Sequence, residues 1–247
     1  MFDYLANPTR FINLSNFLLP FFLIGTVLLF AIGLYIALII SPDDYQQGSA
    51  VKIMYVHVPS AWLSLSSYFI MAVSCFFFLV WRHPLADLIS RSIAPVGAMF
   101  AFLTLITGAI WGKPIWGVWW VWDARLTSMA ILFLFYIAYI YSWKFIASFE
   151  NANKVSSIIA IVGLFNLPVI KFSVDWWNTL HQPSSITLTS APTIHYTMLV
   201  PLIIMFITML LYSLLIFLMR YKMELIKIKL LKKKNYKKFY TFLDFLL

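Results

Sequence analysis

The stretch Trp111–Ser128, which reads WGKPIWGVWWVWDARLTS, connects two long apolar runs near the middle of the chain. It holds five of the ten tryptophans of the protein. Gly112, Pro114 and Gly117 are residues that interrupt helices, so we expect a shaped loop at a membrane boundary. Asp123 is expected to cap the helix that follows, because its carboxylate can accept backbone N–H groups of the first turn.

Six apolar segments are long enough to span a bilayer, and they are expected at about residues 17–40, 58–80, 93–111, 127–147, 155–172 and 196–219. We expect helices, because a spanning segment must satisfy its own backbone hydrogen bonds and the alternation typical of barrel strands is missing. Residues 174–177 should extend the fifth helix.

Only 11% of residues are charged, about half of what a soluble domain carries. The sequence therefore predicts an all-α, polytopic membrane protein with one domain over residues 1–247, a tryptophan loop at about 111–127 and a basic tail at about 220–247.

Lysine and arginine are unevenly distributed between the two sides of this arrangement. The formal net charge is +9, and much of the excess lies in the tail. By the positive-inside rule both termini are expected in the cytoplasm, which places the tryptophan loop on the outer side. The tail is interpreted as an anchor on anionic membrane lipid. We do not expect nucleic-acid binding, because the chain shows no recognisable binding module.

Three histidines, His57, His181 and His195, fall on the same side as the tryptophan loop. Neutral imidazole is a common axial ligand of haem iron, and tryptophan rings can stack on a flat ligand. The alternative for the tryptophans is a belt at the membrane interface. Spacing does not decide which two histidines would bind iron, and His195 can instead orient a neighbour or contact a haem propionate. Arg125 is a candidate partner of the propionates, or else of Asp123 or a lipid phosphate.

Several chemistries are disfavoured by what the sequence contains. Cys75 is the only cysteine, so an intrachain disulfide, a cysteine metal site and covalent haem attachment through a Cys-x-x-Cys-His motif are all excluded for this chain. No Walker pattern and no hydrolytic residue set is visible. We therefore do not expect an enzyme, and any ATP would be hydrolysed by a partner.

The run Trp111–Ser128 resembles the WWD signature of the haem-handling proteins of cytochrome c biogenesis. Two further segments, MYVHVPSAW at 54–62 and WWNTLHQ at 176–182, narrow the resemblance to the CcmC family of the cytochrome c maturation system. The likeness extends from about Tyr55 to Arg220. Pro183 stands where that family is expected to have glycine, which puts the loop after His181 in doubt.

This resemblance implies a membrane protein that binds haem b at the outer face and presents it to the haem chaperone CcmE. It further implies an ABC-type complex with CcmA, CcmB and CcmD, in a bacterial inner membrane or its mitochondrial counterpart. His57 and His181 would be the two axial ligands of the haem iron. The remaining candidate haem contacts are Trp111, Trp116, Trp119, Trp120, Trp122, Asp123 and Arg125.

Two other functions remain open at this stage. The first is an electron-transfer subunit of the cytochrome b type, which would hold haem between histidines within helices. The second is a structural subunit of an ABC transporter that does not bind haem, with the tryptophans serving only as an interfacial belt.

Overall fold

The computed structural model describes residues 8–182, 185–186 and 190–246, with the side chains of residues 84 and 231–246 left aside. Its α-helices are α1 Pro8–Tyr35, α2 Met54–Trp81, α3 Pro84–Trp116, α4 Ala124–Phe145, α5 Phe149–Leu164, α6 Asn166–Trp176 and α7 Tyr196–Leu246. A π-helical turn, Ile36–Ile40, continues α1, and a 3-10 helix, Ser49–Ile53, leads into α2. Within the described residues there is no β-strand, only an isolated bridge between Asp44 and Gly48.

Six helical spans in the described part of the chain are long and apolar enough to cross a membrane, which confirms the predicted number. The helices are longer than the apolar runs. α3 already begins at Pro84, where a proline suits the first helical position because no N–H is needed there. The fifth span consists of α5 and α6, which meet at Phe165, and the predicted extension is confirmed as far as Trp176.

The predicted loop at about 111–127 is wrong over residues 111–116, which form the end of α3, and over residues 124–127, which begin α4. Pro114 has no N–H to donate to the Ile110 carbonyl, which removes one hydrogen bond of the helix. The helix passes through Pro114, as it does through Pro95 in its interior. Gly117 then ends the helix in the left-handed conformation, with a φ of 75°. Its N–H donates to the Lys113 carbonyl at 3.1 Å. The non-helical part is Gly117–Asp123, which we call the tryptophan loop.

The centre of the bundle is formed by α2 and α3, which pack along much of their length, with α4, α5 and α7 around them. α1 packs mainly against α7, and most of its apolar surface is exposed. The backbone of α3 approaches α4 closely at Gly97, where an added Cβ would collide with the Tyr136 hydroxyl. That hydroxyl donates to the Ser64 carbonyl of α2 at 2.7 Å, so three helices meet at one small residue.

One end of the bundle, which we call the tail face, contains a buried group of charges around Arg91 of α3. The guanidinium bonds the carboxylate of Glu224 in α7 and lies 3.5 Å from that of Asp87. It also lies over the Trp143 ring, 4.6 Å from the centroid. Past Glu224, α7 continues as a helix through Leu246. The predicted basic tail is thus a direct continuation of the last spanning helix.

Candidate functional site

A cavity of about 820 Å³ lies at the opposite end, which we call the cavity face. Its walls come from α2, α3, α4 and the start of α7, together with the segments that follow α1 and α6. This volume is within the usual range for sites that bind small molecules and cofactors. Of the residues selected from the sequence, those on its wall are His57, His181, His195, Trp111, Trp116, Trp120 and Arg125.

His57 lies in the first turn of α2, and its ring is held by α3. Its Nδ1 is 3.0 Å from Thr107 Oγ1. The Thr107 hydroxyl donates its only hydrogen to the Leu103 carbonyl at 2.7 Å, so towards His57 it must accept. The proton of the neutral ring is therefore on Nδ1, which leaves Nε2 with a lone pair. The Trp111 ring meets the His57 ring edge to face, with centroids 5.7 Å apart.

His181 lies in the segment after α6, and its ring is held by the start of α4. Its Nδ1 is 3.1 Å from Oδ2 of Asp123, a buried carboxylate. An ionised carboxylate only accepts hydrogen bonds, so here too Nδ1 carries the proton and Nε2 has the lone pair. The other Asp123 oxygen accepts the Leu126 N–H at 2.8 Å, which confirms the predicted helix cap. The Trp116 ring packs edge to face on His181, with centroids 4.9 Å apart.

The electrostatic surroundings of His181 favour the neutral ring. Burial lowers the pKa of His181 below its ordinary value, because the charged imidazolium loses its hydration. The Asp123 carboxylate opposes this effect and raises the pKa, while the Arg125 guanidinium lowers it further. The net shift is downward. At neutral pH the contact with Asp123 is therefore a hydrogen bond to a neutral ring, and Nε2 is available as a ligand.

His57 and His181 are thus held by the same kinds of contact, although they come from different parts of the fold. In each case a partner fixes Nδ1 and a tryptophan of the signature packs against the ring. Hydrogen bonds of this kind orient histidines that bind metals and set their tautomer. Space around His57 is limited, because a Cβ added at Gly108 would lie 3.0 Å from its Cε1. Within the described residues, no group of three or more side chains is placed to hold a bare metal ion.

The structure does not bring all five tryptophans of the signature to the cavity. Trp111, Trp116 and Trp120 line it, whereas Trp119 and Trp122 lie outside, with 58% and 81% of their surface exposed. Asp123 lies behind His181 rather than on the cavity wall. The signature therefore supplies an inner wall, formed by the end of α3 and Trp120, and an exposed edge formed by Trp119 and Trp122.

Two residues that position the site were missed by the sequence analysis. Thr107 holds His57, and the Oε1 atom of Gln47 accepts the indole N–H of Trp111 at 3.0 Å. Their partners are 50 and 64 positions away in the sequence, so no local pattern indicates either contact. The ammonium of Lys113 bonds the Gly117 carbonyl at 2.8 Å and thereby supports the turn.

Comparison with known proteins identifies the family. The family model described as "CcmC: Heme exporter protein C" matches residues 1–236. A Heme exporter protein C of Bradyrhizobium diazoefficiens is 50% identical over 201 residues, which cover 81% of this chain and 76% of that protein. The Heme exporter protein C of Haemophilus influenzae is 44% identical over 222 residues, covering 90% of each chain. A protein of Marchantia polymorpha, named as ccmC-like and mitochondrial, is 49% identical over 176 residues, covering 71% of this chain and 74% of that protein. With six membrane-spanning helices among its described residues, the chain is an integral inner-membrane protein that belongs to the CcmC, Heme exporter protein C, family.

Proposed function

We propose that the protein binds haem b in the cavity, with Nε2 of His57 and Nε2 of His181 as the two axial ligands of the iron. The rings of Trp111, Trp116 and Trp120 contact the porphyrin, and Arg125 pairs with a propionate. Membership of the Heme exporter protein C family supports a role in haem export for cytochrome c maturation. The bound haem is cargo that the protein must later release.

The observation that carries this proposal is that His57 and His181 are held in the same tautomer, with the proton on Nδ1. Both line one cavity, and both have Nδ1 occupied by an acceptor from another part of the chain. Each therefore keeps the lone pair of Nε2, which is the form of imidazole that binds iron. Two such ligands on one haem produce a low-spin iron centre with a characteristic absorption spectrum.

A haem titration of the purified protein tests the proposal. The wild type is expected to develop a low-spin spectrum, and the double variant His57→Ala/His181→Ala is expected to lose it. His83→Ala is the matched control, because His83 is an exposed histidine at the other end of the bundle. An unchanged low-spin spectrum in the double variant would refute the axial ligand pair.

We further propose that haem passes from this cavity to the chaperone CcmE, within a complex that contains CcmA, CcmB and CcmD. The exposed rings of Trp119 and Trp122, next to the cavity, offer an apolar contact for an approaching protein. Co-purification with the chaperone tests this step. The variant Trp122→Ala should retain the haem spectrum and recover less chaperone, whereas Trp176→Ala, another exposed tryptophan at this face, is the control. Equal recovery from both variants would argue against the tryptophan loop as the contact.

The structure offers less support for the two other functions. An electron-transfer cytochrome of the b type holds haem between histidines of packed helices, but His181 lies in the segment after α6. A structural subunit with a tryptophan belt would not need histidines fixed at Nδ1 around a cavity. A protein that purifies without haem when haem is abundant, and still assembles its complex, would favour that second function.

A further inference from the structure

His195 lies immediately before α7 and lines the same cavity as His57 and His181. Sequence reasoning left its role open between a third ligand candidate, a positioning residue and a propionate contact. The hydrogen bonds of its ring distinguish these roles.

The His195 ring is held in the opposite tautomer. Its Nδ1 accepts the backbone N–H of Thr197 at 3.4 Å, and the Thr197 hydroxyl lies 2.8 Å from the same nitrogen. A backbone N–H can only donate, so Nδ1 must hold a lone pair and the proton of the neutral ring must be on Nε2. Among the described residues, every hydrogen bond of this ring is made by Nδ1. His195 therefore presents an N–H donor where His57 and His181 present lone pairs.

The start of α7 itself does not supply free donors at these positions. The N–H groups of Met198 and Leu199 both bond the His195 carbonyl, at 3.0 and 2.9 Å, and the Thr197 N–H is used by the ring. The imidazole N–H is thus a polar group that the start of α7 can offer to a bound molecule, whereas these three backbone N–H groups are already used.

We infer that His195 donates its Nε2–H to a propionate carboxylate of the haem in the cavity, and does not bind the iron. The inference rests on the proposed function. A polar side chain can bind haem in two ways. It can donate a lone pair to the iron, or it can donate a hydrogen bond to a propionate carboxylate. A ring with Nδ1 occupied as an acceptor has no lone pair left for iron. A donor of this kind matches a carboxylate.

The test compares haem with its dimethyl ester, in which the iron is unchanged and both carboxylates are blocked. The variant is His195→Asn, because asparagine is a good helix cap and can still accept the Thr197 N–H, while its shorter side chain removes the ring N–H. The expected result is about fivefold weaker binding of haem, unchanged binding of the ester, and an unchanged low-spin spectrum in both. His83→Asn is the control and should change neither affinity.

Three results would overturn the inference. Loss of the low-spin spectrum in His195→Asn would make His195 an axial ligand. An equal loss of affinity for haem and for the ester would indicate a structural effect. Unchanged affinity for both would leave His195 as a helix cap only. Failure of the proposed function is recognised separately, by a low-spin spectrum that survives in His57→Ala/His181→Ala.

Discussion

His181 and Asp123 are joined by a hydrogen bond of 3.1 Å between Nδ1 and Oδ2, although they lie 58 positions apart in the sequence. The second oxygen of the same carboxylate caps α4 through the Leu126 N–H. One buried side chain therefore fixes both the beginning of a membrane helix and the orientation of a candidate iron ligand.

Replacing Asp123 by asparagine should weaken haem binding about tenfold or more, in the range typical of outer-shell partners of metal ligands. If the amide oxygen keeps the cap on Leu126, the amide NH₂ faces Nδ1 of His181. A donor at that position favours the tautomer with the proton on Nε2, which is the wrong nitrogen for iron binding. The measurement is a haem titration followed by absorbance. Circular dichroism should show an intact helical fold, because asparagine is also a good cap.

The matched control for that variant is Asp175→Asn, which removes an exposed carboxylate at the same end of the bundle. It should leave haem affinity unchanged. If both asparagine variants bind haem as the wild type does, Asp123 does not act through His181.

Replacing Thr107 by valine should weaken haem binding about tenfold and keep the low-spin spectrum at saturating haem. Without the acceptor at residue 107, the tautomer of His57 with its proton on Nε2 becomes the more stable one. Haem binding must then move that proton back to Nδ1. Thr208→Val is the control, because this buried threonine makes the same kind of bond to the carbonyl four residues earlier, at 2.8 Å, away from the cavity. Equal affinities of the two variants would contradict the role assigned to Thr107.

Acidification should release haem at a pH below the ordinary histidine value of 6.5, because burial lowers the pKa of His181. A lowered pKa means that the unfolded state binds more protons than the folded state between the two pKa values of His181. The free energy of unfolding that this residue contributes is therefore lost as the pH falls. The positive charge of Arg125 contributes to the lowering. Arg125→Gln should therefore move the midpoint of haem release to higher pH, whereas Arg125→Lys should leave it near the wild-type value. A midpoint for Arg125→Gln at or below that of the wild type would contradict this assignment.

Replacing Gly108 by alanine should lower haem affinity while the protein remains folded. The new methyl group would lie 3.0 Å from Cε1 of His57, so the ring must move by a few tenths of an ångström away from its position beside Thr107. At Gly25, by contrast, the nearest atom to an added Cβ is 3.9 Å away, so Gly25→Ala is the control. Both variants gain helix propensity of up to about 1 kcal/mol. The thermal unfolding midpoint should thus stay the same or rise in both variants, and only Gly108→Ala should bind haem more weakly.

Replacing Arg91 by methionine should destabilise the protein by about 3 kcal/mol, because it removes the cation that the buried carboxylates of Asp87 and Glu224 share and leaves Glu224 paired with the exposed Lys227. This corresponds to a drop in the thermal unfolding midpoint of about 8 °C. The haem spectrum at low temperature should not change, because the group lies at the tail face. Lys154→Met removes an exposed ion pair with Glu150 and should lower the midpoint by little. Equal midpoints for the two variants would show that the group around Arg91 contributes nothing to stability.

Features that depend on neighbouring residues were predictable from the sequence. Length and hydropathy gave the six spans, and the position of Asp123 ahead of an apolar run gave the cap of α4. The family resemblance of Trp111–Ser128 was confirmed by the match of the family model over most of the chain. The placement of both termini in the cytoplasm rests on charge alone and stays a prediction.

Features that depend on distant residues were not predictable in this way. Nothing local distinguishes Thr107 from Thr104, the other threonine of α3, and its importance comes from His57 on a neighbouring helix. Nothing near Arg91 in the sequence indicates its contact with Glu224, which lies 133 positions away in α7. The end of α3 was misplaced because a proline removes one helical hydrogen bond without always ending the helix, and α3 passes through both Pro95 and Pro114 before it ends.

The passage of α3 through Pro114 to Trp116 has a consequence for protein engineering. The first part of the signature obtains its position from a helix that begins at the other end of the bundle, and the last part from a cap that also holds His181. A peptide containing only residues 111–128 would keep Asp123, but it would lack that helix, both histidines and Thr107, the acceptor that orients His57. The signature can be recognised as a linear motif, but it cannot be transplanted as one, and a minimal artificial haem carrier would have to include at least α2, α3, the start of α4 and the segment around His181.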